Sequence, residues 1–397
     1  MNVQSVSIGE CVKVIGGFAF KSKDFGETGK PVIRISNLQN GIVNTEGAVK
    51  ILPEKVGKGS KATIIGGDIL MALSGATTGK IGVVPVNIEG PVYLNQRVGK
   101  FEIVNNMMIE RAYLRHYLES EMIQSQVWKS AAGVAQPNIS PKQLEAYQIP
   151  LPPLSEQKRI AAILDKADAL REKRRQAIAK LDELLQSVFL DMFGDPVTNP
   201  KGWEVKKCRE LYRSAPKIGT IRPAKGEGFK VVRVGELGQR VIDFDNCGRV
   251  ELSNVEFERF SLNIGDTVIA RAIGSKKQLG KASFFDGYHE PIVIDSHVMR
   301  LRPNQDVCDP KWFYFLIASP RGKLILQSKG GPTAVQFNIN SKQANDLEIP
   351  LPPISNQRVF SHLFSTIESE KVIQGEHLSK IDTLFASLQQ RAFKGEL

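Results

Sequence analysis

The clearest hydrophobic pattern in the chain is a seven-residue repeat that runs through residues 155–193. Apolar side chains recur at two positions of the repeat, as they do in helices that pack against a partner helix. Ser155 is a suitable N-cap, and Gly194 followed by Pro196 ends the pattern. The pattern therefore predicts a single helix with a length of roughly 58 Å, at 1.5 Å per residue.

A second stretch, after residue 354, repeats this register with a weaker apolar seam. Arg174 interrupts the first seam, and a polar break at Gln374 falls 200 residues later. A polar seam residue can fix the register of two helices at some cost in stability. We therefore predict an antiparallel coiled coil within the chain; the alternative is two separate amphipathic helices, each packed on its own domain. The predicted seam residues are Ile160, Ile163, Ala167, Leu170, Arg174, Leu181, Leu184, Phe360, Leu363, Ile367, Gln374, Ile381 and Leu384.

The rest of the chain has short apolar runs bounded by glycine, a pattern typical of strands and turns. Examples are KPVIRISNL at 30–38 and PIVIDSHVMRL at 291–301. Helical stretches follow at 107–130 and at 310–328, the second broken at Pro320. The fold class we predict is α/β, with two mixed α/β domains that are separated and followed by the long helices. The predicted segments are a domain at 1–150, a joint and helix at 151–194, a domain at 195–350, and a joint and helix at 351–397.

An internal duplication with a period of about 200 residues organises the chain. QPNISPKQLEAYQIPLPPLSEQKRI at 136–160 aligns without a gap with QFNINSKQANDLEIPLPPISNQRVF at 336–360, with twelve identities in 25 positions. LDELLQS at 181–187 aligns with IDTLFAS at 381–387 at the same offset. The scaffold is thus duplicated, while the upstream domains have diverged.

Composition and charge narrow the class of partner. Lys and Arg exceed Asp and Glu by 53 to 42, which makes an anionic partner such as nucleic acid plausible. The four cysteines are too far apart for a metal knuckle and too few to staple a chain of this length. No apolar run is long enough to span a membrane, and the N-terminus lacks the layout of a signal peptide. We expect a cytoplasmic protein that does not enter membranes.

The sequence contains no motif that indicates chemistry by this chain alone. GATTGK at 75–80 has three residues between its glycines, and Ile81 follows the lysine, so it does not match a phosphate-binding loop. The five histidines form no closely spaced ligand set, and we expect His289 and His297 to be ordinary residues on or beside a strand. Dinucleotide, nucleophile-elbow and adenine-methylating motifs are not found either. We predict no catalytic residue, no cofactor site and no metal site.

The order of segments resembles the specificity subunits of Type I restriction-modification enzymes over essentially the whole chain. The motifs that carry the resemblance are QPNIS, IPLPPLSEQKRI and LDELLQSVF, together with GGFAFKSKDF at 16–25. The resemblance implies two target-recognition domains, each recognising one half of a bipartite, asymmetric site in double-stranded DNA. It also implies two modification subunits that methylate adenine at N6, and restriction subunits in the full complex. S-adenosylmethionine, ATP and Mg belong to those partners. The second copy departs from the motif at Asn356 and Val359, which puts the equality of the two partner contacts in doubt.

We expect DNA contacts from basic and amide side chains outside the long helix, because that helix carries nearly equal numbers of basic and acidic residues. Arginine and lysine suit guanine and phosphate, and asparagine and glutamine suit adenine. Two alternatives stay open at this point: a protein-interaction scaffold that does not bind DNA, and an autonomous methyltransferase or nuclease. The candidate DNA-contacting residues are Lys21, Lys23, Arg34, Asn37, Lys80, Asn95, Gln96, Arg97, Lys225, Arg233, Arg271, Ser275, Lys276, Lys277 and Gln336.

Overall fold

A computed structural model describes residues 4–131, 137–238, 240–275, 278–329, 331–332 and 337–397. The chain divides into two compact units. Unit 1 comprises residues 1–175 and 376–397, and unit 2 comprises residues 176–375. Both units combine α-helices with β-sheets, so the mixed α/β class predicted from the sequence is confirmed.

Unit 1 contains two larger sheets and a short ribbon. Its strands are β1 (Ser5–Ser7), β2 (Val12–Gly16), β3 (Phe25–Gly26), β4 (Lys30–Ile33), β5 (Leu38–Gln39), β6 (Gly41–Val43), β7 (Val49–Ile51), β8 (Thr63–Ile64), β9 (Ile69–Ala72), β10 (Ile81–Val83), β11 (Val92–Leu94), β12 (Val98–Ile103) and β13 (Gln148–Pro150). The six-stranded sheet has the order β2-β12-β9-β10-β6-β5, and the five-stranded sheet has the order β3-β7-β4-β11-β8. Its short helices are α1 (Arg111–Glu119), α2 (Glu121–Ala131) and α3 (Pro141–Ala146).

Unit 2 has the same kind of architecture. Its strands are β14 (Val205–Lys207), β15 (Tyr212–Ile218), β16 (Phe229–Val232), β17 (Gly248–Val250), β18 (Thr267–Ala270), β19 (Ala272–Ile273), β20 (Ala282–Phe284), β21 (Ile292–Ile294), β22 (Val298–Pro303), β23 (Gly331–Pro332), β24 (Phe337–Asn338) and β25 (Glu348–Pro350). The sheet orders are β15-β22-β18-β20, β17-β16-β21 and β19-β24-β23. Its short helices are α5 (Asn254–Phe260), α6 (Pro310–Ala318), α7 (Pro320–Lys329) and α8 (Ser341–Asn345). Helix α7 begins at Pro320, where the sequence predicted a break.

The proline-rich joints are the same in both units. In unit 1, β13 pairs antiparallel with β1, and Ile149 lies opposite Val6. In unit 2, β25 pairs antiparallel with β14, and Ile349 lies opposite Lys206. Each joint therefore contains a short strand that pairs with the first strand of its own unit, and prolines and a long helix follow it.

The two long helices are α4 (Leu154–Phe193) and α9 (Ile354–Lys394). Gly194, at a φ of 75°, follows α4, consistent with its predicted role as the stop. In unit 1, Leu164 of α4 belongs to the same buried cluster as Phe385 and Phe393 of α9. In unit 2, Leu185 and Phe189 of α4 belong to the same buried cluster as Phe360 of α9.

Ion pairs connect the same helices within each unit. Nε of Arg171 lies 2.6 Å from Oδ1 of Asp382 in unit 1. Nζ of Lys371 lies 2.7 Å from Oδ1 of Asp182 in unit 2. A shift of 200 residues converts one pair of positions into the other, so the duplication extends to these contacts.

Four of the predicted seam leucines are exposed, in contrast to the prediction. Leu170 and Leu384 are 58% and 57% exposed, and Leu184 and Leu363 are 49% and 38% exposed. The buried residues Leu164, Leu185, Phe364 and Phe385 lie one position after the predicted seam residues Ile163, Leu184, Leu363 and Leu384. The buried stripe of α4 runs from Ile160 to Leu164, a spacing of four residues, and then alternates spacings of three and four. The predicted seam begins instead with a spacing of three, from Ile160 to Ile163. Of the other predicted seam residues, Ile160 and Phe360 are buried, and Ile163, Ala167, Arg174, Leu181, Ile367, Gln374 and Ile381 are half-buried.

Candidate nucleic-acid interface

A tight turn between β11 and β12 presents two of the predicted DNA-contacting side chains. The amide of Val98 donates to the carbonyl of Asn95 at 2.9 Å and closes the turn. The turn is held from outside as well, because the amide of Gln96 donates to the carbonyl of Phe18 at 3.0 Å. The side chains of Gln96 and Arg97 are exposed. A fixed backbone thus carries two polar side chains that face solvent.

These two residues border a cleft of about 390 Å³. Arg34 lines the same cleft, together with the aromatic rings of Phe20 and Phe25. The rings of Phe20 and Phe25 pack with their centroids 6.5 Å apart. Guanidinium groups beside apolar rings suit both phosphate and base edges. Arg34, Gln96 and Arg97 are therefore brought together, as a common DNA-binding surface requires.

Two predicted DNA-contacting residues of this region have structural roles. Asn37 is buried; its Oδ1 accepts from the amide of Arg34 at 3.0 Å, and its Nδ2 donates to the carbonyl of Asn44 at 3.1 Å. Asn95 is also buried, and its side-chain Oδ1 accepts from the amide of Arg97 at 3.4 Å. The expectation that these side chains face DNA is corrected: they fix the backbone that presents Arg34 and Arg97.

Arg271 of unit 2 is corrected in the same way. Its Nη1 donates to the carbonyl of Ser296 at 2.6 Å, and its Nη2 donates to Oδ1 of Asn338 at 2.7 Å. Burial lowers the pKa of this guanidinium from its ordinary value. The side chain is thus used inside the protein, where it supports the turn between β21 and β22.

The other predicted DNA-contacting residues are spread over the surface of their own units. Arg233 is exposed and contacts Glu236 at 3.2 Å, and Ser275 is half-buried. Among the predicted residues, Lys21, Lys23, Lys80 and Lys225 are exposed lysines. Three further candidates, Lys276, Lys277 and Gln336, lie outside the described residues.

A charged cluster lies where α1 meets the long helices of unit 1. His116 is fully buried, and its Nε2 lies 2.8 Å from Oδ1 of Asp165. Burial lowers the pKa of His116, against the opposing effect of Asp165. Burial also raises the pKa of Glu119 to about 7, with Arg115 opposing the shift. Since these groups contact the scaffold helices and not the cleft, we assign them to the scaffold.

The described part of the chain contains no group of three or more His, Cys, Asp and Glu residues arranged to hold a metal ion. None of its helices is both long and apolar enough to cross a membrane. The four cysteines are free.

The sequence predictions did not single out the turn of unit 2 that corresponds to residues 95–98. In Asp295–Val298, the amide of Val298 donates to the carbonyl of Asp295 at 2.9 Å, and the amide of Ser296 donates to the carbonyl of Thr220 at 2.8 Å. The signal that could have found this turn is the offset of 200 residues, which aligns Arg97 with His297.

Comparison with known proteins agrees with this architecture. Residues 1–181 match the family described as the Type I restriction modification DNA specificity domain. The chain is 24% identical over 388 residues to the EcoKI specificity subunit of Escherichia coli K12, covering 92% of this chain and 82% of that protein. It is 33% identical over 188 residues to the MjaVIII specificity subunit of Methanocaldococcus jannaschii, covering 46% and 44%.

Two solved structures have a similar fold. A chain from a structure of the type I R-M system has a TM-score of 0.56 and 19% identity, covering 99% of this chain and 98% of that one. The Type I S subunit from M. genitalium has a TM-score of 0.54 and 16% identity, covering 99% and 96%. Residues 1–181 thus match the family model of the Type I restriction modification DNA specificity domain, and most of the chain is similar in sequence to Type I specificity subunits.

Proposed function

We propose that this chain is the DNA-binding specificity subunit of a Type I restriction-modification complex, and that it directs the reactions of partner subunits without catalysing them. The observation that carries the proposal is the family match over residues 1–181, combined with a duplication that repeats the joint, the helix and the presented turn 200 residues later. Two copies of one scaffold with different exposed side chains suit two different half-sites. The target is accordingly a bipartite, asymmetric sequence.

The proposal assigns target recognition to residues 1–150 and 195–350, and spacing to the joints and helices at 151–194 and 351–397. The helices form an antiparallel coiled coil, which sets the distance between the half-sites. Support comes from the ion pairs Arg171–Asp382 and Lys371–Asp182, which are equivalent under the 200-residue shift.

The partners in this proposal are two modification subunits and, in the full complex, restriction subunits. The modification subunits bind S-adenosylmethionine and methylate adenine at N6, whereas ATP and Mg serve DNA cleavage by the restriction subunits. A cytoplasmic location follows from the DNA target. The exposed side chains of Arg34, Gln96 and Arg97 are proposed to contact DNA in unit 1. The lysines and Arg233 named above would contact phosphate.

Salt-dependent DNA binding by the assembled complex tests the proposal. The chain is co-purified with a modification subunit, and the affinity of the complex for genomic DNA fragments is measured between 50 and 200 mM salt. Because phosphate contacts release counterions, we expect the affinity to fall by about 10³ if the complex makes six or more such contacts. Competition between fragments should reveal one preferred sequence.

A protein-interaction scaffold that does not bind DNA is the alternative. The scaffold alternative predicts that all DNA fragments bind equally weakly. It also predicts that partner proteins stay bound at salt concentrations that remove this weakly bound DNA. Selective retention of fragments that share a split sequence would exclude it.

A further inference from the structure

The turns at Asn95–Val98 and Asp295–Val298 have the same backbone framework. Each closes with an amide–carbonyl bond of 2.9 Å between its first and fourth residues. The backbone amide of each first residue donates to a carbonyl at the end of the neighbouring strand of the sheet: Asn95 to Ile33 at 3.0 Å, and Asp295 to Val232 at 2.9 Å.

A second segment braces each turn in the same way. The amide of Gln96 donates to the carbonyl of Phe18, and the amide of Ser296 donates to the carbonyl of Thr220. Glycine precedes each bracing segment because the backbones touch. A Cβ on Gly17 would lie 2.2 Å from the carbonyl oxygen of Asn95, and one on Gly219 would lie 2.0 Å from that of Ile294. The two domains thus preserve a close approach that only glycine allows.

The third residue of each turn is exposed and also anchored through its carbonyl. The carbonyl of Arg97 accepts from the amide of Leu73 at 2.8 Å, and the carbonyl of His297 accepts from the amide of Arg271 at 3.0 Å. These backbone contacts are kept, whereas the side chains change from the exposed Gln96 and Arg97 to the half-buried Ser296 and the exposed His297. A rigid framework with variable exposed side chains is how one fold supports different specificities.

His297 is oriented by its own turn. Its Nδ1 lies 2.9 Å from Oδ1 of Asp295, and the amide of His297 donates to the same oxygen at 2.8 Å. When Nδ1 carries the proton that Asp295 accepts, the neutral ring presents Nε2 as an acceptor. The side chain is 51% exposed, so Nε2 is available to a donor such as a base amino group.

From this equivalence we infer that residues 96–97 and 296–297 are matching specificity-determining positions, with Arg97 and His297 each contacting a base edge in a different half of the DNA target. The inference rests on the proposed function. Arg97 contacts guanine, because a guanidinium bonds both O6 and N7. His297 contacts a base with an exocyclic amine. Asn95, Asp295 and Arg271 are positioning residues, since they hold the turns.

The test maps N6-methyladenine across host DNA for the chain co-expressed with its modification subunit. Arg97→Ala should relax a G·C pair in one half of the motif, and His297→Ala should relax a position in the other half. His297→Arg should replace the second preference with a new one. His289→Ala is the matched control, because His289 is a 74% exposed histidine of the same unit outside the turn; it should leave the motif unchanged.

Binding to duplexes with single base-pair changes completes the test if a variant no longer methylates. Selectivity at one position should fall about tenfold or more, while the thermal midpoint and partner assembly stay unchanged. The inference is wrong if wild type yields a split motif and all turn variants keep every base preference. No split motif from wild type would instead refute the proposed function.

Discussion

Gln157 and Gln357 explain why the duplicated joint retains a glutamine. Both side chains are buried at the start of a long helix. Oε1 of Gln157 accepts from the amide of Glu110 at 2.9 Å, and its Nε2 donates to the carbonyls of Met108 and Pro152 at 2.8 Å. Gln357 makes the equivalent bonds to Asp309, Val307 and Pro352. One amide thus ties each helix to the segment before α1 or α6.

Replacing this amide should destabilise unit 1. Gln157→Met keeps the length of the side chain but leaves a buried amide and two carbonyls without their partner, which costs about 1–3 kcal/mol. Thermal unfolding should show a lower midpoint. Gln390→Met is the control, since Gln390 is exposed and its replacement should change stability by less than about 0.5 kcal/mol. Equal midpoints for the two variants would contradict the assigned role.

Glu119 should make the stability of unit 1 depend on pH. Because its pKa is raised from 4.5 to about 7 in the folded chain, the folded state binds the proton more tightly than the unfolded state. The contribution of this group to stability is therefore full below pH 4.5 and is lost as the pH rises through 7. His116 acts in the opposite sense: its lowered pKa removes stability as the pH falls below 6.5.

A comparison of wild type with Glu119→Gln isolates the first effect, because both proteins retain His116. The midpoint of the variant relative to wild type should rise by roughly 5 to 10 °C between pH 5 and pH 8, because the pKa shift corresponds to roughly 2.5 kcal/mol over this pH range and each 1 kcal/mol moves the midpoint by roughly 2 to 4 °C in a domain of this size. Glu183→Gln, at an exposed position of α4, should show no such change. A pH-independent difference for Glu119→Gln would rule out the burial of an ionisable carboxyl.

Single residues show where sequence reasoning stops. Arg97 could be selected because it is a basic residue outside the long helix. Asn37, Asn95 and Arg271 have equally suitable chemistry, yet their side chains bond to backbone groups of the protein, on Asn44, Arg97 and Ser296 respectively. Residue type alone does not separate a side chain that faces DNA from one that holds a loop.

At the scale of elements, the long helices were predictable from period and end signals, whereas their buried stripe was not. The predicted seam residues Ile160 and Leu181 are buried and half-buried. The second row of predicted seam residues, which includes Leu184, lies one residue before the row that is buried. Leucine occupies both rows of α4, so hydrophobicity could not choose between Leu184 and Leu185. Contacts with residues of the α/β domains decide which row is buried, and the helical period carries no information about those contacts.

Two leucines of α4 in unit 1 test this buried row. Leu164→Ala removes a fully buried side chain and should cost about 2–5 kcal/mol. Leu170→Ala, at a 58% exposed position, should change stability by less than about 0.5 kcal/mol. Urea unfolding monitored by circular dichroism measures both. A larger loss for Leu170→Ala would support the originally predicted seam instead.

At the scale of the whole chain, the duplication was the strongest signal in the sequence. It could be found because the joints and helices retain identical residues at a fixed offset, such as Gln157 and Gln357. The strand pairings that close each joint, with Val6 opposite Ile149, could not be predicted, because the partners are separated by most of a domain. The duplication and the family match together support the proposed recognition of two half-sites.

Replacement of residues 1–150 by the corresponding segment of another specificity subunit tests this account most directly. The original and exchanged chains are each co-expressed with the modification subunit, and N6-methyladenine is mapped by single-molecule sequencing. The account predicts a split motif with a fixed spacer, in which the exchange alters one half and leaves the other half and the spacer unchanged. A continuous motif, or a motif that the exchange does not alter, would contradict it.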